Sequence, residues 1–169
     1  MSGEEFSSLA AADIAGQLSR PAEEYVNDPE TELAWAMKAY EHARVHMNLL
    51  SAVDPNALRL SRHDNEIYEK FRADFPDFPL RFIPEEALKS PENKEKWRNF
   101  IEAQKDKCDD FNFGTLLRLD AKGSYDSDNT ILVTKMQFLA VEIARNREGI
   151  NAEYKHLFSN KQSEESEES

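Results

Sequence analysis

Apolar residues recur at three- and four-residue spacing along the clearest helical stretch of the chain, residues 29–53. Leu33, Ala36, Met37, Tyr40, Ala43, Met47 and Leu50 fall on one stripe. A second stripe, Trp35, Ala39, His42, His46, Leu49 and Val53, lies nearly opposite, its spacing alternating four and three like a coiled-coil seam. Asp28 is placed to cap this helix, Pro29 suits its first position, and Asp54-Pro55 ends it. A helix with two apolar faces is either central in a fold or shows one face to a partner, and both readings stand at this point.

A second helix is predicted over 62–75. Ser61 and Asp64 resemble a capping box, and Ile67, Tyr68, Phe71 and Phe75 form the buried side. Pro76 and Pro79 break it. Leu80–Ile83 reads as a short edge strand stopped by Pro84. Ser90 and Pro91 open a third helix over 91–107, with Trp97, Phe100, Ile101 and Gln104 on its inner face. The lysines at 94, 96, 105 and 107 read as solvated.

The chain is organised around Phe111–Gly149, which holds its densest apolar and β-branched runs. Phe111, Phe113, Thr115, Leu117 and Leu119 alternate with Asn112, Gly114, Leu116, Arg118 and Asp120, the period of a strand with one buried face. Ala121–Asn129 is a nine-residue loop whose Gly123 can take a positive φ. Thr130–Val133 pairs back antiparallel. From Lys135 the period lengthens, with Met136, Leu139, Ala140, Ile143 and Ala144 on a helical face, although Phe138, Leu139 and Val141 leave a strand as the runner-up. Gly149 is the expected C-terminal cap, and residues 150–158 add a short helix. The fold class is helix-dominated α+β: four or more helices packed with a small antiparallel sheet of two or three strands.

Three regions follow: a flexible N-terminal segment over 1–20, a single globular domain over 21–158 and a disordered acidic tail over 159–169. In the first, Phe6, Leu9, Ala10, Ile14 and Leu18 roughly keep helical spacing, so a short docking helix competes with a frayed end. In the tail, Ser163 and Ser166 each precede two glutamates; a plain solubilising tail is favoured over acid-directed phosphorylation.

The formal net charge of −12 opposes binding to nucleic acid or to an anionic membrane surface, and suits a soluble protein or one that meets a basic partner. Cys108 is the only cysteine, so no intramolecular disulfide forms, which fits a reducing compartment. Nearby Asp106, Asp109 and Asp110 raise its thiol pKa and oppose a nucleophilic role. No apolar run is long enough to span a bilayer, and the acidic N-terminus lacks the basic start of a secretory signal. The expected location is the cytoplasm, with the nucleus also open.

Candidate chemistry is sparse. His42 and His46 have metal-ligand spacing but no evident third ligand, so no metal is expected. The five scattered glycines form no phosphate or cofactor loop, so neither a cofactor nor a transferase activity is expected. Adjacent acids such as Asp109-Asp110 and Glu85-Glu86 are a consequence of acidic composition. More specific is the polar set Asp110, Asn112, Arg118, Asp120, Glu142, Arg145, Asn146 and Arg147. It forms either an internal network locking the last helix onto the hairpin, the favoured reading, or a polar binding surface. No catalytic residue is assigned. The candidate partner contacts are Trp35, His42, His46 and Leu49 on the long helix, with Asn112, Arg118, Asp120, Arg145, Asn146 and Arg147 as a second set.

Five blocks in order, PAEEYVNDPETELAWAMKAYEHA, SAVDP, EKWRNF, DFNFGTLLRLD and VEIARNREG, resemble the eukaryotic family named polysaccharide biosynthesis domain-containing protein 1. The resemblance covers about residues 21–150. The family name implies carbohydrate chemistry, yet the chain lacks the length and glycine loop of the methyltransferases behind that name. What the resemblance implies instead is a chaperone role, because fungal members assist folding of newly made translation elongation factor 1A by binding its GTPase domain at the ribosome. Such a protein needs no catalytic residue and no cofactor. A general interaction adaptor and a small enzyme of polysaccharide biosynthesis are the alternatives.

Overall fold

A computed structural model describes residues 29–158. The expected N-terminal segment 1–20, the Asp28 cap and the acidic tail 159–169 lie outside these residues. Helix α1 spans Pro29–Ala52, and Pro55 then opens a 3-10 turn capped by Asp54, whose side chain accepts from the Asn56 amide. The buried face of α1 is neither predicted stripe. It is Ala36, Ala39, Ala43, His46 and Leu50, a seam running between them. Three alanines let the helix axis approach the sheet closely. The bulky members of both stripes are left on the flanks.

Helix α2 spans Asp64–Asp74 and has no capping box. The Ser61 hydroxyl accepts from the His63 amide at 3.0 Å and Asp64 Oδ2 from the Leu60 amide at 3.0 Å, so both side chains shape the preceding turn instead. A single turn, α3 (Glu86–Lys89), leads into α4 (Pro91–Gln104), where Ser90 does cap by accepting from the Asn93 amide. Trp97 of α4 is buried against Phe75 and Phe71, ring centroids 4.3 and 5.7 Å away, and donates its indole N–H to the Ala87 carbonyl at 3.1 Å. These aromatics, with Ile67, Phe78 and Phe100, anchor the main core.

Strands β1 (Gly114–Arg118) and β2 (Thr130–Thr134) pair antiparallel, Gly114 opposite Thr134 and Arg118 opposite Thr130. The expected edge strand at 80–83 shrinks to one bridge between Phe82 and Asp120, confined by Pro79 and Pro84. The one-faced reading of β1 is corrected: Thr115, Leu116, Leu117 and Arg118 are all buried. Leu116 meets the α1 alanines in a small second core, while Leu117 enters the main core. A strand covered on both faces loses its alternation.

Helix α5 spans Lys135–Arg147 and starts with a capping box between Thr134 and Gln137. Every residue from Phe138 to Asn146 is buried, which explains the nearly continuous apolar run. The final helix, α6, occupies residues 150–158. Gly149 joins the two at φ +79°, in the left-handed region. A Cβ there would touch nothing within 4 Å. Gly149→Ala is therefore expected to cost backbone strain alone, about 1 kcal/mol, read as a lowered urea midpoint. Gly123 is different. Gly149 is the only positive-φ glycine among the described residues, so Gly123 does not use the positive φ open to it. Its need is room, since a Cβ would lie 2.5 Å from Asn129 Nδ2, which bonds the carbonyls of Asp120 and Ser124.

Candidate functional site: an inner polar lock and an outer apolar strip

Strand β1, covered on both faces, and the buried length of α5 bring Arg118 and Glu142 together in the interior, and the next helical turn adds Arg145. All three are fully buried. Arg118 Nη2 donates to Glu142 Oε1 and Oε2, both at 3.0 Å, and Arg118 Nε to Oε2 at 3.3 Å. Arg145 Nη1 reaches Oε2 at 3.4 Å. One carboxylate thus faces two guanidiniums, and four main-chain carbonyls accept from their other N–H groups. Arg118 Nη1 donates to Ala121 and Gly123, Arg145 Nε to Leu80 and Nη2 to Leu119. From α6, Asn151 donates to Glu142 Oε1 and to Asn146 Oδ1, and accepts from Arg118. Burial works to raise the Glu142 carboxyl, but Arg118 and Arg145 outweigh it and hold the group well below the usual carboxylate range. Burial also pulls Arg145 down to about 10, against the opposing pull of Glu142. Both carboxylate oxygens are occupied, so the arrangement ties β1, the 121–123 turn, α5 and α6 together. Asn151 belongs to this lock and was not picked out from the sequence; it sits beyond the Gly149 break, where no helical periodicity points to it.

Two histidines connect the lock to α1. His46 is buried, with Nδ1 2.7 Å from the Tyr125 hydroxyl. Its ring stands edge-on to Phe138 at 5.0 Å, and His42 does the same one turn earlier at 4.9 Å. His46 Nε2 and His42 Nδ1 have no hydrogen-bond partner among the described residues. Burial lowers the His46 pKa to about 3, with Arg118, His42 and Arg145 adding to it against Glu142. Burial, then Lys135, lowers His42 as well. Among the described residues no group of three or more His, Cys, Asp or Glu is placed to hold a metal ion. Cys108 donates to Asp110 at 3.2 Å, and burial followed by Asp110 raises its thiol pKa.

The outer side of α1 and the turn after it carry a strip of part-exposed apolar residues. Trp35 is 39% exposed, Val45 48%, Leu49 37% and Val53 38%, with Phe113 at 37% beside them. The Trp35 and Phe113 rings lie 5.6 Å apart, and the Lys38 ammonium is 5.2 Å from the Phe113 centroid. Relative to the predicted stripe the helix is turned one step: Ala39 and His46 face inward, and Lys38 and Val45 come outward. Lys38 hid this strip, because a charged residue interrupts its apolar pattern.

The ten candidate contacts therefore separate. Trp35 and Leu49 share the outer strip, and half-buried His42 lies between them in sequence. His46, Arg118, Arg145 and Asn146, expected at a partner contact, are buried and belong to the interior. Asp120 is half-buried, its carboxylate accepting from the Lys122 amide. Asn112 is exposed at the approach to β1, and Arg147 is exposed over the Tyr68 ring of α2, 5.9 Å from its centroid. Among the described residues no helix is long and apolar enough to cross a membrane.

The PBDC1 protein family matches the chain over residues 31–156, from the first turn of α1 into α6. The chain belongs to the PBDC1 family. It is 49% identical to Protein PBDC1 of Homo sapiens over 138 residues, which cover 82% of this chain and 59% of the human protein. The chain thus spans about three-fifths of that relative's length. The PBDC1 homolog of Schizosaccharomyces pombe is 42% identical over 134 residues, 77% of this chain and 91% of its own. The solution NMR structure of protein yst0336 from Saccharomyces cerevisiae superposes with a TM-score of 0.71 at 39% identity, covering 80% of this chain and 96% of that one. Both the inner lock and the outer strip lie within the span matched to the PBDC1 family.

Proposed function

We propose that this PBDC1-family chain is a non-enzymatic, client-specific chaperone. It binds the GTPase domain of newly made translation elongation factor 1A in the cytoplasm, at or near the ribosome, and needs no cofactor. The observation that carries this reading is the strip on α1: aromatic and aliphatic side chains, half exposed, on a rigid helix. A partly folded domain presents apolar surface of the kind such a strip takes up. Family membership supports the client's identity through the role that the resemblance implies. The net charge of −12 supports it too, since a charge of that size steers encounter with a basic protein.

Capture from actively translating lysate tests the proposal. The tagged chain is expected to retain nascent and newly released elongation factor 1A. Trp35→Ala is expected to lower capture roughly thirtyfold, the effect of losing an aromatic anchor of about 2 kcal/mol, with helicity and urea midpoint nearly unchanged. Arg147→Ala, over Tyr68, is expected to leave capture as it is. Absence of the factor from the captured chains sinks the reading; a broad collection of unrelated chains that depends on Trp35 favours the general adaptor instead.

A further inference from the structure

Strand β2 has a partner strand on one side only: among the described residues β1 and β2 make up the whole sheet. Their pairing settles which main-chain groups face outward. Leu119 N–H donates to the Asn129 carbonyl at 2.9 Å, and Lys135 N–H to the Phe113 carbonyl at 2.8 Å. Hydrogen-bonded pairs alternate along an antiparallel ladder, so Thr115–Val133 and Leu117–Ile131 are the bonded pairs between these two. The N–H and C=O groups of Thr130 and Leu132 therefore point away from β1. Among the described residues no other main chain meets them. Thr134 closes the row, because Gln137 Oε1 takes its N–H at 2.9 Å. We infer that this outer edge of β2 takes up an extended segment of a partner polypeptide as a third strand, apolar along its length and basic at the end beside Asp126 and Asp128. The inference goes beyond the proposed function and does not depend on which client the α1 strip binds.

Three observations identify the occupant. The first is the edge itself. Outward donors and acceptors on alternate residues, about 6.8 Å apart, match the main chain of an extended strand and not that of a helix. Natural edges are commonly blunted by lysine, proline or a bulge, and Thr130–Thr134, TILVT, has none of these; its register with β1 runs without a break. The second is the setting of the side chains. Buried Ile131 and Val133 enter the main core, while half-buried Leu132 packs against the small core under α1. A third strand would therefore set its side chains beside apolar groups on both faces, which calls for apolar residues in it. The third is charge. Asp126 and Asp128, both exposed, stand just before β2, so a basic residue suits that end of the occupant. A second copy of the chain would instead bring another charge of −12 against the first.

Amide hydrogen exchange on the full chain is the first test. The Thr130 and Leu132 amides are expected to exchange at least about tenfold faster than those of Ile131 and Val133, which face β1. Equal protection in the dilute chain means that the edge is already covered from within and overturns the inference. Protection that grows with protein concentration assigns the edge to a second copy and overturns it equally. The second test titrates blocked synthetic peptides of sequence Lys-Val-Thr-Val-Thr-Val into the isotope-enriched chain. Binding is expected to slow exchange at Thr130 and Leu132 about tenfold or more, with little change at Ile131 and Val133. The same peptide N-methylated on every second residue keeps one bonding edge and is expected to bind comparably. Methylated on every residue, it is expected not to bind. Binding that survives full methylation, shifts confined to α1, or no effect at Thr130 and Leu132 at millimolar peptide each overturn strand pairing. Asp128→Asn is expected to weaken the lysine-ended peptide about threefold at low salt, and unchanged affinity overturns the basic end of the assignment. Because the peptides stand in for the partner, loss of elongation factor 1A as client would leave this result as it is, and failure of the peptides would leave the client reading untouched.

Discussion

Glu142→Gln is expected to remove about 3–5 kcal/mol of stability, read as a large fall in the urea midpoint with an unchanged slope. The side chain keeps its size, so no cavity opens. What changes is charge. Arg118 and Arg145 are both fully buried and share this one carboxylate. With glutamine in its place, two guanidiniums stand in the interior with no anion, and the new amide N–H₂ turns a donor towards donors. Replacing a whole buried ion group with apolar residues is often neutral in other proteins, but the geometry here predicts otherwise. Arg118 and Arg145 satisfy the carbonyls of Leu80, Leu119, Ala121 and Gly123. Substituting Met at 118 and 145 together with Leu at 142 leaves the carbonyls of Leu80, Ala121 and Gly123 without these donors, at about 1–3 kcal/mol for each one that water cannot reach, while Leu119 keeps the Ile83 N–H. The triple variant is therefore expected to stay well below the native protein. Full recovery would show that the lock contributes specificity rather than stability.

How much of this was legible in the sequence varies with the kind of signal. The elements were readable where a local rule decides them. Ser90-Pro91 opens α4, the change of period near Lys135 marks α5, and Gly149 follows the end of α5 at positive φ, as a C-terminal cap does. The helix-dominated α+β class followed from those. The failures arise where a neighbouring element overrides the pattern. Leu116 and Arg118 occupy the strand face assigned to solvent, yet α1 covers the one and Glu142 receives the other. On α1, both large-residue stripes suggested a burying face, but close approach to the sheet selects the alanine seam between them. That choice depends on helix-to-sheet distance, which no periodicity contains.

The candidate site divides along the same line. Trp35 and Leu49 were legible as a surface because a stripe on a long helix is a local feature. Val45 and Phe113 were missed: one sits a step off that stripe, the other on a different element that meets it only in the fold. The internal network was the favoured reading of the polar set, and Arg118, Glu142, Arg145 and Asn146 form it. Composition could not distinguish these from Asn112 and Arg147, which face water. A buried arginine and an exposed one look alike in sequence; the partner across the fold makes the difference.

Acid is expected to loosen the join between α1 and the lock well before it protonates Glu142, and His46 sets the window. Burial holds the His46 pKa at about 3 in the folded protein, whereas in the unfolded chain the imidazole titrates near its ordinary 6.5. Between those values the unfolded state binds one more proton. Stability therefore falls as pH falls, at up to about 1.36 kcal/mol per unit, from near pH 6.5 towards pH 3. The full loss approaches about 4–5 kcal/mol. Glu142 keeps its charge over most of this window, because Arg118 and Arg145 hold its pKa below the usual range; its own contribution disappears only at the acid end. The groups around the imidazole do not relieve the penalty. Burial dominates, Tyr125 offers Nδ1 only a neutral hydroxyl, and the pull of Glu142 is opposed by Arg118, His42 and Arg145. Urea titrations from pH 8 to pH 4 on the native chain and on His46→Gln measure the difference. Gln can still bond the Tyr125 hydroxyl and does not titrate, so its stability curve should be flatter by about one proton below pH 6.5. The readout is the slope and not the absolute stability, so a modest packing cost in the variant does not obscure it. Parallel curves would show that another group controls acid stability, and that α1 is held by its alanine seam without any contribution from the neutral imidazole.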